Sequence, residues 1–321
     1  MTSPAIETSA SAEKRSLSSL PILPELAIGA VVLMWSSTAV VIKDMYDYMQ
    51  PLAFTVTRFA LICALAVTMM LIYRVRNRAS IAIDRSDWPR LVAASLSGYT
   101  AYQLFYILGL ERTTAFASSI LGSLTPIFTM ILVSFLGERS PRAAWIGVLI
   151  AFAGGLVFIA GNGSADGGSL TGNLLCAGAP LSFAIYSIIS RPLVNKYPPS
   201  VFTAYSLVIG TIPICIVGAP QWRNQDWGAV PNHIWLVMIY LCIFPVYIAY
   251  QFWNYGIKHR GVTTVSAYSL GIPVLGGIWA WLWLDESLGG LKLVGGALVL
   301  VGLIVMRRGR TKRVKPVLAV S

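Results

Sequence analysis

The chain has 321 residues, of which 56% are hydrophobic and only 12% are charged, and its mean hydropathy is +0.70. Soluble domains carry about 25% charged residues, so this composition excludes an ordinary soluble protein and predicts a polytopic membrane protein. The net charge of +11 does not indicate nucleic-acid binding, because the basic residues form short clusters between apolar runs and not one basic face with interleaved aromatic residues.

The chain begins with a polar segment and continues with apolar runs. Residues 1–21 are rich in Ser, Thr and Ala and have no apolar core followed by a cleavage site, so we expect a disordered cytoplasmic tail. A membrane-crossing helix needs about 20 mostly apolar residues. Ten runs provide them: 22–42, 52–73, 88–110, 114–136, 143–161, 171–190, 201–219, 232–256, 263–284 and 288–306. The prediction is one all-α membrane domain that ends in a basic cytoplasmic tail, residues 307–321.

Lys and Arg residues are distributed unevenly between the two sides of this arrangement. If the N-terminus is cytoplasmic, nineteen of them lie on the cytoplasmic side and four on the far side. Because cytoplasmic loops carry an excess of Lys and Arg, the bias predicts that both termini are cytoplasmic. Two termini on one side require an even number of spans.

The line AYQLFYILGLER at residues 101–112 returns as AYQFWNYGIKHR at residues 249–260. The same offset of 147 or 148 positions relates Pro51 to Pro199, Trp88 to Trp235, Pro126 to Pro273 and Gly147 to Gly295. A constant offset predicts a duplicated unit of five spans, with residues 22–161 and 171–306 as its two copies. Because five is odd, the second copy is inverted in the membrane, an arrangement that transporters use to expose one central site alternately to either side.

Polar and aromatic side chains form a stripe along one face of span 3 and of span 8. The stripes have i, i+3, i+4 and i+7 spacing and consist of Tyr99, Tyr102, Gln103 and Tyr106 in span 3 and Tyr247, Tyr250, Gln251 and Asn254 in span 8. Polar groups at this depth face protein or water rather than lipid, so the stripes predict the lining of a central cavity. Hydrogen bonding that only joins neighbouring helices is the alternative.

Spans 4 and 9 carry hydroxyl groups before a proline. Span 4 has Ser119 before Pro126, and span 9 has Ser266 and Tyr268 before Pro273. Each proline leaves the carbonyl four residues earlier without its usual donor, so a hydroxyl or a water must satisfy that carbonyl. The resulting bend is either a gate or a static kink. Further candidates for the lining, in spans 1 and 6, are Trp35, Ser36, Ser182 and Tyr186.

Arg58 is a charged residue deep within span 2, about two turns from its start. A central Arg costs roughly 2.5–3.5 kcal/mol on insertion scales, so it must pair or line water. Asp44 and Asp47 in the preceding loop are candidate partners, and a structural or gating ion pair is favoured over contact with a ligand. Lys43 and Arg191, which are related by the repeat offset, receive the same structural or gating role.

Side chains that could support catalysis or bind a metal are scattered. The Cys and His residues lack partners at metal-ligand spacing, and they are Cys63, Cys176, Cys215, Cys242, His233 and His259. Paired carboxylates, or a nucleophile with its base, do not occur at a useful spacing. The sequence therefore predicts a protein that is not an enzyme and has no metal or cofactor, with a membrane-embedded enzyme as the alternative of another class. Spans 5 and 10 are predicted scaffold, because span 5 has small residues at four-residue steps (Ala143, Gly147, Ala151 and Gly155) that permit close helix packing.

The combined pattern resembles the EamA branch of the drug/metabolite transporter superfamily over about residues 22–306. The resemblance rests on the repeat, the TP and IP prolines, the LGE and LDE turns at 136–138 and 284–286, and the G-x6-G helices. Trp35, Lys43 and Arg58 also match the family pattern. The resemblance implies ten helices in two inverted halves, a central cavity lined by helices that include 3, 4, 8 and 9, and efflux of small metabolites across a bacterial inner membrane. Within the family, the chain is most similar to exporters of amino acids, particularly aromatic ones.

The residues also limit the cargo. A phosphate-bearing substrate needs a clamp of basic side chains in the cavity, and a cationic drug favours a carboxylate within the membrane. The nearest carboxylates lie at span ends, and they are Glu111, Glu138, Asp285 and Glu286. A neutral or zwitterionic solute that stacks on Tyr and hydrogen-bonds Gln and Ser fits best, as an aromatic or apolar amino acid does.

Acidic or His relays near the midplane, which proton-driven carriers commonly use, are not visible in the sequence. We therefore expect gradient-driven export by alternating access, with proton coupling or a channel as alternatives. The expected partners are the small-molecule substrate and the lipid bilayer, without nucleic acid. The oligomeric state is open, a monomer included.

Overall fold

A computed structural model describes residues 22–78, 80–137, 141–161, 168–268, 271–284 and 289–311. Every regular element within these ranges is helical. The predicted tail at residues 1–21, most of the basic tail at 307–321, and parts of the LGE and LDE turns lie outside the described residues.

The helices follow one another with short connections, and we number them in chain order. They are α1 (Leu23–Met45), α2 (Pro51–Asn77), α3 (Arg85–Glu111), α4a (Ala115–Gly122), α4b (Thr125–Phe135), α5 (Arg142–Gly161), α6 (Leu170–Lys196), α7 (Pro199–Asn224), α8 (Asn232–Arg260), α9a (Val262–Tyr268), α9b (Gly271–Leu284) and α10 (Gly290–Thr311).

Seven helical segments in the described ranges are long and apolar enough to cross a membrane: α1, α2, α3, the α4a–α4b segment Ala115–Phe135, α6, α7 and α8. Three shorter apolar helices, Arg142–Val157, Gly271–Leu284 and Gly290–Met306, lie where spans 5, 9 and 10 are predicted. The all-helical, multi-pass prediction is confirmed, whereas the count of ten spans stays a prediction.

The interruption of the fourth segment follows from its proline. Thr114 caps α4a by accepting a hydrogen bond from Ala117 N at 3.0 Å, and the α-helix pauses after Gly122. α4b begins at Thr125, with Pro126 in its first turn. Thr125 Oγ1 donates to the Gly122 carbonyl at 2.9 Å, so a hydroxyl, one of the two alternatives that the sequence left open, satisfies the carbonyl that the proline leaves free. The corresponding carbonyl in the second half belongs to Ser269, which lies outside the described residues.

Two helices contain a π-helical turn at related positions. The turn in α3 spans Leu96–Ala101, and the turn in α8 spans Ile243–Ile248. The two turns start 147 positions apart, which is the repeat offset. π-Turns widen the helix and often lie at functional sites. Both helices therefore carry the same distortion at repeat-related positions.

α5 and α10 form a closely packed antiparallel pair. A Cβ added to Gly147 would lie 2.5 Å from the carbonyl oxygen of Gly302, and one added to Gly154 would lie 2.8 Å from that of Gly295. Residue numbers therefore fall along α10 as they rise along α5. The scaffold face predicted for span 5 uses Gly154 rather than Gly155, since a Cβ on Gly155 would meet nothing within 4 Å.

α2 and α7 form a second antiparallel pair. Gln221 Oε1 accepts a hydrogen bond from Leu52 N at 2.8 Å, and Cys63 Sγ donates to Thr211 Oγ1 at 3.1 Å. Cys63 and Thr211 are 148 positions apart and contact each other. This contact therefore joins two residues that are counterparts in the repeat.

The bundle has two ends, and each is named after a connection that lies there. Residues 46–50 connect α1 to α2 at one end, and residues 80–84 lie between α2 and α3 at the other. The 46–50 end also holds the start of α6, where Ser169 N donates to Arg112 O at 2.9 Å, and Gln50 N donates to Gln225 Oε1 at 2.8 Å. The 80–84 end holds the Arg260–Glu25 ion pair at 2.7 Å. The positive-inside bias predicts that the 80–84 end is cytoplasmic.

Candidate functional site

A central cavity of about 80 Å³ lies between helices of both halves. It begins at mid-depth beside Tyr250 and Trp253 of α8 and extends to Ile42, Arg58 and Tyr106 near the 46–50 end. This volume holds a few water molecules and is small beside the roughly 300–1,000 Å³ of typical small-molecule sites. Of the side chains assigned to the lining from the sequence, the structure brings together Trp35, Tyr102, Gln103, Tyr106, Ser119 and Tyr250, with Arg58 beside them.

An aromatic cluster forms the inner wall of the cavity. The Trp35 ring centroid lies 5.4 Å from that of Phe183, 5.9 Å from that of Tyr250 and 5.1 Å from that of Trp253. Trp35 Nε1 donates to the carbonyl of Pro245 in the π-turn of α8, at 2.7 Å. Because a π-turn leaves carbonyls without their usual helical donor, the indole of one half fixes the distorted backbone of the other.

Sequence reasoning missed Phe183 and Trp253. The signal for Phe183 was available, because it stands 148 positions after Trp35 and is therefore its counterpart. The two rings also touch edge to face, with an interplanar angle of 83°.

The stripe of α3 forms a second wall. Tyr102 and Tyr106 stack with their rings nearly parallel, 5.9 Å between centroids and 8° between planes. Gln103 is 5% exposed and lines the same space. Parallel phenols beside an amide offer a planar cargo a stacking surface with a hydrogen-bonding edge.

Arg58 lies at the 46–50 end of the cavity and is 1% exposed. Its guanidinium carbon stands 4.9 Å from the centre of the Phe54 ring and 5.4 Å from that of Phe59. The expected ion pair with Asp44 or Asp47 is wrong: both are exposed on the surface, whereas Arg58 turns inward between the two rings. Arg58 forms no ion pair with any described residue, and its buried Nε has no hydrogen-bond partner.

Tyr99 and Tyr186 lie beyond the cavity lining, fully buried toward the 80–84 end. Tyr99 stacks on Tyr250 at 4.6 Å between centroids. Tyr186 donates its hydroxyl hydrogen to Asn254 Oδ1 at 2.9 Å, and Asn254 Nδ2 donates to Thr203 Oγ1 at 3.2 Å. We call Tyr186, Asn254 and Thr203 the Tyr186 network. Near the 80–84 end, side chains of this network are packed together, whereas near the 46–50 end the cavity leaves open space.

Serines predicted to line the cavity mostly bond to helix backbone. Ser182 Oγ donates to Gly178 O at 3.1 Å, outside the lining. Ser36 Oγ donates to Leu33 O at 2.9 Å and accepts from Trp279 Nε1 at 3.3 Å.

The predicted lining residues of span 9 also lie outside the cavity. Ser266 lies 3.5 Å from Thr129 Oγ1, hydroxyl to hydroxyl. Tyr268 is half-buried against the core. The structure therefore places both beside the cavity and not in its lining.

Tyr247 and Gln251 lie on a different surface from their counterparts Tyr99 and Gln103. They are half-buried in a lateral groove of about 690 Å³ between α1, α8 and the start of α7. The groove is lined mostly by apolar side chains such as Leu26. The sequence assigned the two whole stripes to one cavity, but the stripe of α8 divides, because Tyr250 turns inward and Gln251 turns outward.

The residues assigned a structural or gating role occupy three kinds of place. Lys43 Nζ donates to the carbonyl of Thr113 and so ties α1 to the connection before α4a. Arg191 is exposed on α6 toward the 80–84 end. Pro126 and Pro273 are buried in the first turns of α4b and α9b.

The 80–84 end is joined by charged contacts. Lys196 Nζ lies 2.5 Å from an Asp84 carboxylate oxygen and 2.7 Å from one of Asp87. Tyr197 donates to Asp87 at 2.7 Å, and burial together with this carboxylate raises the pKa of the Tyr197 hydroxyl. These contacts connect the start of α3 to the end of α6, across the end opposite to the cavity.

Comparisons with known proteins agree with this architecture. A model described as the EamA-like transporter family matches residues 23–160 and again residues 170–308. A protein of Archaeoglobus fulgidus named an uncharacterized transporter is 28% identical over 287 residues, covering 89% of this chain and 99% of the relative. A protein of Streptantibioticus cattleyicolor named a probable terminal-alkyne amino-acid exporter is 26% identical over 223 residues, covering 69% of this chain and 74% of the relative.

A solved crystal structure has a similar fold, with a TM-score of 0.67 and 22% identity over 91% of this chain and 98% of that one. The family model matches both halves of the chain, and the apolar helices agree with a membrane protein. The chain belongs to the EamA-like transporter family and is a multi-pass membrane transporter.

Proposed function

We propose that this transporter exports small neutral or zwitterionic metabolites, in particular aromatic or apolar amino acids, by alternating access between two inverted five-helix halves. The observation that carries the proposal is the asymmetry of related positions. Thr38 and Tyr106 line the cavity near the 46–50 end, while their counterparts Tyr186 and Asn254 are hydrogen-bonded to each other and buried near the 80–84 end.

Alternating access in an inverted repeat exchanges the conformations of the two halves. In the described state, Thr38 and Tyr106 of the first half line open space, whereas their counterparts in the second half are packed together. The exchanged state would open the Tyr186 network and collapse the space around Tyr106. The antiparallel packing of α5 on α10 supports this reading, because an inverted second copy requires it.

The lining supports a planar organic cargo of low charge. Trp35, Phe183, Tyr250 and Trp253 offer aromatic surface, and Gln103 offers a donor and an acceptor. Because the cavity holds only about 80 Å³, loading requires the lining helices to separate. The break between α4a and α4b is a suitable place for that movement, since Gly122 and Thr125 on either side of it line the cavity.

The lining also supports transport without proton coupling. Among the described residues that line the cavity, none is Asp, Glu or His. Carriers that move protons commonly use such groups near the midplane. A proton-coupled exporter of other metabolites or drugs is the second candidate.

The remaining parts of the proposal concern the number of membrane spans and the orientation of the protein in the membrane. We infer ten spans, with both termini in the cytoplasm and the protein in the inner membrane, so that the 80–84 end faces the cytoplasm. The Lys and Arg bias supports this orientation. The described cavity is then nearer the far side.

The test is counterflow of labelled phenylalanine into proteoliposomes that contain the purified protein. Competitors are aromatic and aliphatic amino acids, a quaternary amine and a phosphosugar, each measured with and without a pH gradient. We expect saturable uptake that is stimulated by substrate on the opposite side and blocked best by aromatic amino acids. Non-saturable flux without trans-stimulation would indicate a channel, and strong dependence on the pH gradient would reject uniport.

A further inference from the structure

The guanidinium of Arg58 is a buried charge that forms no ion pair with any described residue. The side chain is 1% exposed and lines the central cavity. Its buried Nε donates no hydrogen bond to any described residue. No described carboxylate forms an ion pair with Arg58 within 4 Å, and the candidates Asp44 and Asp47 are exposed. Burying an unpaired charge is expensive, so a buried Arg that lines a cavity indicates a binding function for its free donors.

The surroundings hold the guanidinium in place without satisfying it. Phe54 and Phe59 present their ring faces at 4.9 and 5.4 Å. Cation–π contacts of this kind stabilise the charge, but they leave the planar N–H edge of the guanidinium free. That edge matches the two oxygens of a carboxylate in a bidentate pair.

We propose that Arg58 binds the carboxylate of the transported molecule, so that the cargo is an amino acid whose apolar body extends toward the aromatic cluster. This inference rests on the proposed transport function and adds the chemical group that the cavity recognises. A cargo with one carboxylate fits a single Arg. A phosphate dianion would leave a charge uncompensated, because Arg58 is the sole Lys or Arg among the described lining residues.

The subsite belongs to one half of the protein. The repeat counterpart of Arg58 is Ser206, which is fully buried and whose hydroxyl has no hydrogen-bond partner among the described residues. Recognition of the carboxylate is therefore one-sided, although the chain is duplicated.

The test uses binding to the purified full-length protein in lipid nanodiscs, which does not depend on transport. The probes are 3-phenylpropionate and its uncharged amide, 3-phenylpropanamide, with phenylalanine and phenylalaninamide as a second pair. We expect the wild-type protein to prefer each acid over its amide by about tenfold to a hundredfold, the range that hydrogen bonds to a charged group provide. Sodium chloride at fixed ionic strength serves as a competitor, since a simple anion site would be blocked equally by chloride.

Two variants assign the preference to this side chain. Arg58→Gln should reduce the acid-to-amide ratio to about one, while Arg58→Lys should keep part of it, because the charge remains. An unchanged ratio in Arg58→Gln, no preference in the wild-type protein, or complete displacement of the acid by chloride would overturn the proposal. Acid-selective binding without any transport would instead refute the proposed function and leave the subsite standing, whereas transport without acid preference would do the reverse.

Discussion

Tyr186 and Asn254 are joined by a hydrogen bond of 2.9 Å in the fully buried interior of the second half. The positions 148 residues earlier are Thr38 and Tyr106, and both line the cavity. Positions related by the repeat thus line open space in the first half and are closely packed in the second. In a carrier with inverted repeats, this is the difference between the closed and the open side.

Tyr186→Phe should loosen the 80–84 end, because Asn254 Oδ1 loses its donor in a buried place, at a cost of about 1–3 kcal/mol. The measurement is the labelling rate of a cysteine introduced at Ser190, which is buried on α6 toward this end, in a chain whose native cysteines are replaced. We expect labelling several-fold faster than in the parent. The matched control is Tyr205→Phe, since the Tyr205 ring packs on Trp88 and is not part of the Tyr186 network. Equal rates in the two variants would contradict a closing role.

Gln103→Ala should weaken transport more than Gln251→Ala, although the two residues are repeat counterparts of the same type. Gln103 is 5% exposed in the cavity wall, whereas Gln251 lies in the lateral groove. We expect the apparent binding free energy of the substrate to weaken in Gln103→Ala by about the value of one hydrogen bond, 0.5–1.5 kcal/mol. Counterflow at several substrate concentrations measures it, and equal losses in both variants would show that the two stripes act together.

Gly154→Ala should destabilise the protein, and the neighbouring Gly155→Ala should not. A Cβ at Gly154 would lie 2.6 Å from Val299 N, while one at Gly155 would meet nothing within 4 Å. Overpacking of this kind costs about 1–3 kcal/mol, whereas Ala in an open helical position is favoured over Gly by roughly 1 kcal/mol. Thermal unfolding of the two purified variants tests this; similar midpoints would mean that α5 and α10 pack differently.

Exchange should be faster than net efflux if Arg58 binds the cargo carboxylate. An empty carrier must change conformation with an unpaired buried charge, while a loaded carrier changes with the charge neutralised. The ratio of exchange to net efflux, measured in the same liposomes, should exceed about tenfold and should fall in Arg58→Gln. A ratio near one in the wild-type protein would mean that the empty form reorients freely.

Much of the fold followed from the sequence because it depends on period and composition. A constant offset of 147–148 and an odd number of spans per copy predict an inverted pair, and the antiparallel contacts of Gly147 and Gly154 with α10 agree with that expectation. The hydroxyl that satisfies the Gly122 carbonyl was also predictable, because a proline removes a specific backbone donor.

The division of the site between the halves was not predictable in this way. Gln103 and Gln251 are identical in type and spacing, so no sequence pattern distinguishes the one in the cavity from the one in the groove. Arg58 was assigned to Asp44 or Asp47 because they are near in sequence, but sequence distance does not give the direction of a side chain. Phe183, in contrast, was missed because a Phe in an apolar span resembles ordinary packing, although the repeat offset from Trp35 identifies it.

Two contacts join residues to their own counterparts, Cys63 with Thr211 and Trp35 with Phe183. If the halves exchange conformations, as we propose, such a contact is preserved with the roles of its two partners reversed. Under that proposal, both pairs would stay in contact throughout the cycle while the helices on either side of them move. A bulky residue in either pair would therefore hinder the conformational change in both directions.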